Sequence, residues 1–134
     1  MLWPWRKRSP DRSENGKARR RANRRGHVAE LCALIFLMAK GYRPLARRFS
    51  VSGGELDLVM KRGSLIAFVE VKARRDIESA IHAVDTQKQR KLKRAVNVWL
   101  ARNPWACAYS LRMDTLYVIG GFRIRHDEDA FDLG

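Results

Sequence analysis

The sequence predicts an α/β domain built from two main helices and five strands, and three stretches carry that prediction. Gly53 to Arg75 (GGELDLVMKRGSLIAFVEVKARR) holds two apolar runs of period two around a turn at Arg62-Gly63-Ser64, the pattern of a β-hairpin. Thr86 to Arg102 places Leu92, Ala95, Val96, Trp99 and Leu100 at i, i+3, i+4, i+7 and i+8, a single apolar helix stripe. His27 to Lys40 carries Leu31, Leu34, Ile35, Phe36, Leu37 and Met38 and is apolar nearly all round. Such a helix is expected to be buried, ending at Gly41 in a C-terminal cap.

The remaining elements follow in order. Met1 to Arg25 holds ten basic residues against two acids, so eight of the fourteen net positive charges sit there. With little to bury beyond Leu2, Trp3 and Trp5, residues 1–25 read as a disordered basic tail and residues 26–134 as the folded domain. Tyr42 to Ser50 reads as a strand, with Pro44 marking an edge or an irregular start. Asp76 to Val84 reads as a loop or a short helical turn. Thr86 and Gln89 fit a capping box for the second helix, and Asn103-Pro104 stops it. Leu111 to Ile119 and Phe122 to His126 read as strands around Gly120-Gly121. The acidic end, Asp127 to Gly134, is expected to be peripheral.

Charge sets the function classes. A net charge of +14 and a pI near 10.9 in a chain of 134 residues point to a polyanionic partner, most simply DNA or RNA, with an anionic membrane surface a weaker option. The tail serves equally as a phosphate-binding or a solubilising extension. Cys32 and Cys107 make no disulfide framework and suggest a reducing compartment. Without a membrane-length apolar stretch or a secretory apolar segment, the expected location is the cytoplasm. There is no phosphate-binding glycine loop and no Cys/His cluster. His27, His82 and His126 are scattered, and the tryptophans read as packing residues.

The hairpin carries the candidate chemistry. If Gly63-Ser64 is the two-residue loop, facing residues sum to 127 and Asp57 opposes Glu70; if Arg62-Gly63 is the loop, the sum is 125 and Asp57 opposes Phe68. Either register leaves Asp57, Glu70 and Lys72 on one face, with Leu56, Leu58 and Met60 on the other. Opposed carboxylates repel and lose hydration inside an apolar strand. A nearby lysine or a divalent cation would compensate. The plainer alternative is a hairpin whose polar face meets solvent, against which Ile66 and Phe68 share the face with Glu70. Glu30 stands one turn from Ala33 and Leu34 on the first helix; it is either a partner of the helix dipole or a third carboxylate aimed at the hairpin. Lys88 sits at the edge of the second helix's stripe, within reach of the sheet. Arg90, Lys91, Lys93 and Arg94 face outward with one sign of charge, as phosphate contacts require. Arg74 and Arg75 add to this basic set at the hairpin's end.

Together, GGELDLV (Gly53–Val59), FVEVKAR (Phe68–Arg74), Ala29-Glu30, Gly41-Tyr42, Lys88, Arg112-Met113-Asp114 and Asp129-Ala130-Phe131 resemble the YraN family of small bacterial proteins from about Gly26 to Phe131. The resemblance implies a restriction-endonuclease-like fold of the PD-(D/E)XK nuclease class, resolvase-like, with a mixed five-stranded sheet flanked by two main helices. It also implies that Asp57 and Glu70, with Glu30 less directly, hold Mg²⁺ or Mn²⁺, and that Lys72 assists the attacking water. The expected activity is metal-dependent phosphodiester hydrolysis on nucleic acid, DNA ahead of RNA. The alternative is a non-catalytic DNA- or RNA-binding module that keeps the fold. A homodimer is among the expected states, and no membrane partner is expected.

Overall fold

The computed structural model describes residues 12–75, 86–120 and 123–130, and the backbone alone for residues 12–25. Helix α1 spans Arg12–Ala39, strands β1, β2 and β3 span Arg43–Val51, Gly54–Arg62 and Leu65–Arg74, helix α2 spans Thr86–Arg102, and strands β4 and β5 span Ser110–Ile119 and Arg123–Asp127. The five strands form one sheet in the order β1-β2-β3-β4-β5. Strand β3 runs parallel to β4 and all other neighbours are antiparallel, so the sheet is mixed. The crossover from β3 to β4 carries α2, as a parallel pair demands. This is the restriction-endonuclease-like topology that the resemblance implied.

One core lies on each face of the sheet. Ala29, Ala33, Leu34 and Leu37 of α1 pack on Leu58, Met60, Ala67, Val69, Leu116 and Val118. Leu92, Ala95, Val96 and Trp99 of α2 pack on Val59, Ile66, Phe68 and Met113. Alternation along the strands sends successive residues to opposite cores. Trp99 meets Phe68 edge to face at 5.5 Å between ring centres.

Three expectations change. Helix α1 starts at Arg12 rather than near His27, so the backbone of residues 12–25 is helical; residues 1–11 lie outside the described residues. Nor is α1 buried all round. Val28, Leu31, Ile35 and Met38 are 49–60% exposed, because the sheet covers only one side of the helix. Its end is as expected: Gly41 has φ +94°, and the Tyr42 N–H donates to the Leu37 carbonyl at 3.0 Å, closing a Schellman cap. Finally, the acidic C-terminal stretch is not peripheral up to Ala130, which donates its N–H to the Met113 carbonyl. The expected loop at residues 76–84 lies outside the described residues. A 3₁₀ turn at Pro104–Ala108, unforeseen in the sequence, follows α2 and stacks Trp105 edge-on between Trp99 and Tyr109.

Candidate functional site

The hairpin adopts the register in which facing residues sum to 127, from Arg62↔Leu65 to Leu58↔Val69. Gly63 alone of the two loop residues has positive φ, +59°, as a type II′ turn prescribes. The backbone ladder then stops one rung short of Asp57 and Glu70. Past that point the Val71 N–H donates not to a strand carbonyl but to Asp57 Oδ2, at 2.7 Å. The carboxylate takes the place of the missing strand partner, and the two strands fork there.

The neighbouring strand shares the irregularity. Arg47 pairs with Leu58 and Phe49 with Leu56, so Arg48 stands across from Asp57, and Arg48 adopts φ +50°. A non-glycine residue in the left-handed region is uncommon. The expected face pattern of β2 breaks at the same place: Leu58 joins the α1-side core, whereas Leu56 crosses to the α2-side core.

The fork opens a hollow of about 410 Å³ lined by Glu55, Asp57, Glu70, Val71, Gln87, Lys88, Lys91 and Leu92. Its width depends on how closely β2 meets α2. A Cβ on Gly54 would fall 2.6 Å from the Lys91 carbonyl oxygen and 2.9 Å from the Ala95 nitrogen, so only glycine permits the approach that brings Lys88 and Lys91 over the carboxylates.

Electrostatics at the fork is strained toward negative charge. The Asp57 carboxyl is pushed up to about 6, first by burial and further by the charges of Glu30, Glu70 and Glu55, against the lowering effect of the Val71 N–H. Glu70 is buried, with only 4% of its side chain exposed, and Lys88 Nζ approaches its Oε1 at 2.9 Å. The approach is off the line that a hydrogen bond needs, so Glu70 Oε1 is buried beside a cation and still has no aligned donor. A buried carboxylate oxygen in that condition is unusual.

The other expected site residues divide. Lys88 reaches Glu70 on the sheet, as expected, and Lys91 lines the same hollow. Lys72 is buried on the same strand face as Glu70 but does not line the hollow; its ammonium lies 5.9 Å from the centre of the Tyr117 ring, beside it on β4. Glu30 is close enough to raise Asp57 but is engaged by Arg48 Nε at 2.6 Å. Among the described residues no three His, Cys, Asp or Glu side chains converge as metal ligands, so Glu30, Asp57 and Glu70 do not form a three-carboxylate cage. Arg90, Lys93 and Arg94 line a separate open hollow of about 680 Å³ with Gly53, Lys91 and Asn97, along the outer side of α2. Arg74 and Arg75 close β3 beyond both hollows; Arg75 is exposed and Arg74 donates to the Ala73 carbonyl.

The sequence reading missed Arg48, Gln87 and Tyr117, since nothing in their spacing marks them. It also missed a buried polar cluster on the α1 side. Asp114 is fully buried and accepts hydrogen bonds from Arg112 Nε and Nη2, each at 2.7 Å, from the Asp129 N–H, and shares a 2.8 Å contact with His126 Nε2. Burial alone would raise its carboxyl; the His126, Arg112 and Asp129 contacts outweigh that and hold it down to about 2. His126 lies between Asp114 and Lys40 Nζ.

The match to known proteins covers the fork and the residues around it. The description "Uncharacterised protein family UPF0102" fits residues 29–118, from Glu30's turn of α1 to the end of β4. The chain belongs to the UPF0102 family. It is 52% identical over 124 residues to a UPF0102 protein of Methylobacterium nodulans, covering 91% of this chain and 96% of that one. A UPF0102 protein of Methylorubrum extorquens is 47% identical over 121 residues, 90% and 94% of the two chains. One from Agrobacterium fabrum is 43% identical over 113 residues, 84% and 93%. The UPF0102 span contains Glu30, Asp57, Glu70, Lys72, Lys88 and Asp114, all part of the YraN resemblance, while Asp129-Ala130-Phe131, β5 and the His126 contact fall beyond it.

Proposed function

We propose that this UPF0102 protein is a Mg²⁺- or Mn²⁺-dependent nuclease that binds nucleic acid, DNA ahead of RNA, and hydrolyses phosphodiesters at the fork between β2 and β3. The observation that carries the reading is Glu70 Oε1, buried without an aligned donor beside the half-buried carboxyl of Asp57, which burial and the neighbouring carboxylates push up to about 6. Two carboxylates suit Mg²⁺, which is held in nucleotide chemistry by one or two carboxylates together with substrate oxygens and waters. Asp57 and Glu70 are the proposed ligands. A cation there would supply charge neutralisation at the scissile phosphate and a more acidic water.

The chain's own residues do the rest. Lys88 and Lys91, at the hollow's rim, hold the phosphate against the carboxylates. Lys72 is proposed to steady developing charge from its buried place on the same face. Glu30 supports Asp57 electrostatically and is itself steadied by Arg48. Arg90, Lys93 and Arg94, with Arg74 and Arg75, grip backbone phosphates without reading bases. No described helix is long and apolar enough to cross a membrane. The cytoplasm is the proposed location, and the free state of Cys32 and Cys107 agrees with it.

A second reading, a nucleic-acid-binding module without turnover, has its own support: Lys88 already neutralises Glu70, and the three carboxylates do not converge. Thermal melting with and without Mn²⁺ separates a metal site from a metal-free one. A ligand that binds only the folded state raises its melting temperature by mass action. Mn²⁺ is expected to raise the melting temperature of wild type and not of Asp57→Asn; equal shifts in both would remove the metal site from this fork.

A further inference from the structure

We propose that Trp105 is a stacking platform for one unpaired base of a single-stranded nucleic acid, whose backbone runs from there along α2 to the fork. Trp105 is 47% exposed, the only tryptophan, tyrosine or phenylalanine exposed among the described residues. Trp99 is the packing residue that the sequence predicts, at 4%; Trp105 is not. The ring is nonetheless firmly held. The 3₁₀ turn that carries it is anchored by the fully buried Ala106, whose N–H donates to the Asn103 carbonyl at 2.9 Å. The Asn103 side chain ties the turn to α2 by donating to the Trp99 carbonyl at 2.8 Å. Trp99 and Tyr109 meet the Trp105 ring at 75° and 89°, with centres 6.0 and 5.7 Å away. Neither lies flat on it, so neither takes the place of a stacked base. A ring fixed before binding loses little freedom when a partner arrives.

Charge decides the occupant. A half-exposed ring suits an apolar protein surface as well, but the ground around Trp105 favours phosphate. From Thr86 to Met113 the chain holds seven basic side chains and no acidic one. Lys61 Nζ lies over the Tyr109 ring at 4.8 Å, so a cation stands one ring away from Trp105. The open hollow of Arg90, Lys93 and Arg94 reaches along α2 to Ala101, and Arg102 ends the helix three residues before Trp105. A cationic track beside an aromatic ring is how proteins hold single strands, the charge following the backbone and the ring taking a base. Bases within a duplex have their faces covered by their neighbours in the stack, so the ring selects an unpaired one. Lys88 at the fork and Arg102 are separated by about 21 Å along α2, at 1.5 Å per residue. The stacked base and the carboxylates are thus a few nucleotides apart. The substrate class that follows is a nucleic acid with a single-stranded tail or flap rather than a plain duplex. The inference rests on the nucleic-acid binding proposed above and not on the metal at the fork.

Fluorescence anisotropy of the full chain, without divalent metal so that no cleavage intervenes, tests it with three labelled probes of about twelve nucleotides. One is a deoxythymidine strand, one a strand with the same phosphates but abasic throughout, and one a blunt duplex. Wild type is expected to bind the thymidine strand at least about fivefold more tightly than the abasic strand. Trp105→Ala is expected to lose that preference and to bind the abasic strand and the duplex as wild type does. Trp105→Leu, which keeps apolar bulk against Trp99 but has no ring, gives the same answer should the alanine variant fold poorly, whereas Trp105→Phe keeps most of the preference. Equal binding of both strands by wild type, the result expected of a ring that serves a protein partner, would overturn the platform and leave phosphate binding standing. A preference that survives in Trp105→Leu, or a loss that is equal on both strands, would also overturn it. Wild type that binds none of the three probes would overturn the nucleic-acid reading itself and the platform with it.

Discussion

Asp57 pays for its position, and that cost is measurable. Its carboxyl is raised to about 6 in the fold, against 3.8 ordinarily, by burial first and then by Glu30, Glu70 and Glu55. The folded chain therefore binds this proton more tightly than the unfolded one. Stability is lowest, as far as Asp57 is concerned, above pH 6; it rises as the pH falls through 6 and levels off below about 3.8. Asp57→Asn removes the charge, and its side-chain oxygen still accepts from the Val71 N–H. In metal-free buffer the variant is expected to be more stable than wild type at pH 7 by about 1–3 kcal/mol, with the difference vanishing near pH 4. Urea unfolding at both pH values reads it; a variant less stable at pH 7 would mean that Asp57 is not held against its charge. Asp114 has the opposite sign. Held at about 2, it contributes stability above pH 3.8 that is lost as the pH falls toward 2. The two carboxylates thus separate cleanly, one at odds with the metal-free fold and one anchoring it through Arg112.

At the level of elements, the fork between β2 and β3 is what a plain hairpin lacks, and β2 is held against α2 at Gly54. Gly54→Ala places a methyl group 2.6 Å from the Lys91 carbonyl oxygen, a backbone atom that has no rotamer to escape into. The expected result is destabilisation of about 1–3 kcal/mol as helix and strand are wedged apart; a melting temperature within a degree of wild type would show that the contact is looser than drawn. Much of this level was legible in the sequence. Gly63 narrowed the hairpin to two registers, of which the structure takes the one summing to 127; the span of α2 was expected to the residue; and Pro44 marked an edge or an irregular start for β1, which is both an edge strand and irregular between Pro44 and Ala46. The fork was not legible, because it is made by a side chain replacing a backbone partner and by Arg48 in a left-handed conformation, neither of which leaves a periodic trace. The Arg112–Asp114–His126 cluster was hidden for a related reason: its partners reach across strands and to Tyr42, seventy residues away in the chain. The outer face of α1 was misread as core because apolar residues on the two sides of a helix look alike in sequence, and only one side meets the sheet.

For the whole molecule, charge and chemistry are divided between places. The net charge of +14 includes the basic α2 surface, whose Arg90, Lys91, Lys93 and Arg94 line one open hollow, while the carboxylates sit in the fork beside it. Backbone contacts release counterions, so DNA affinity is expected to fall steeply with salt. Replacing Arg90, Lys93 and Arg94 together by alanine should lower the slope of log K against log salt by about 2–3 and leave melting unchanged. Fluorescence anisotropy across a salt series reads it, and an unaltered slope would move the nucleic-acid surface off α2. The central claim is that binding and cleavage are separable, with cleavage held by Asp57 and Glu70. Single-turnover cleavage in Mn²⁺, on branched, flapped and single-stranded DNA and RNA, measured beside binding for wild type and Asp57→Ala, tests it most directly. The account predicts that wild type cuts at least one of these substrates and that Asp57→Ala binds it as tightly but cuts it more than about 100-fold more slowly. Cleavage by Asp57→Ala at the wild-type rate, or tight binding by wild type with no cleavage of any substrate, would contradict it.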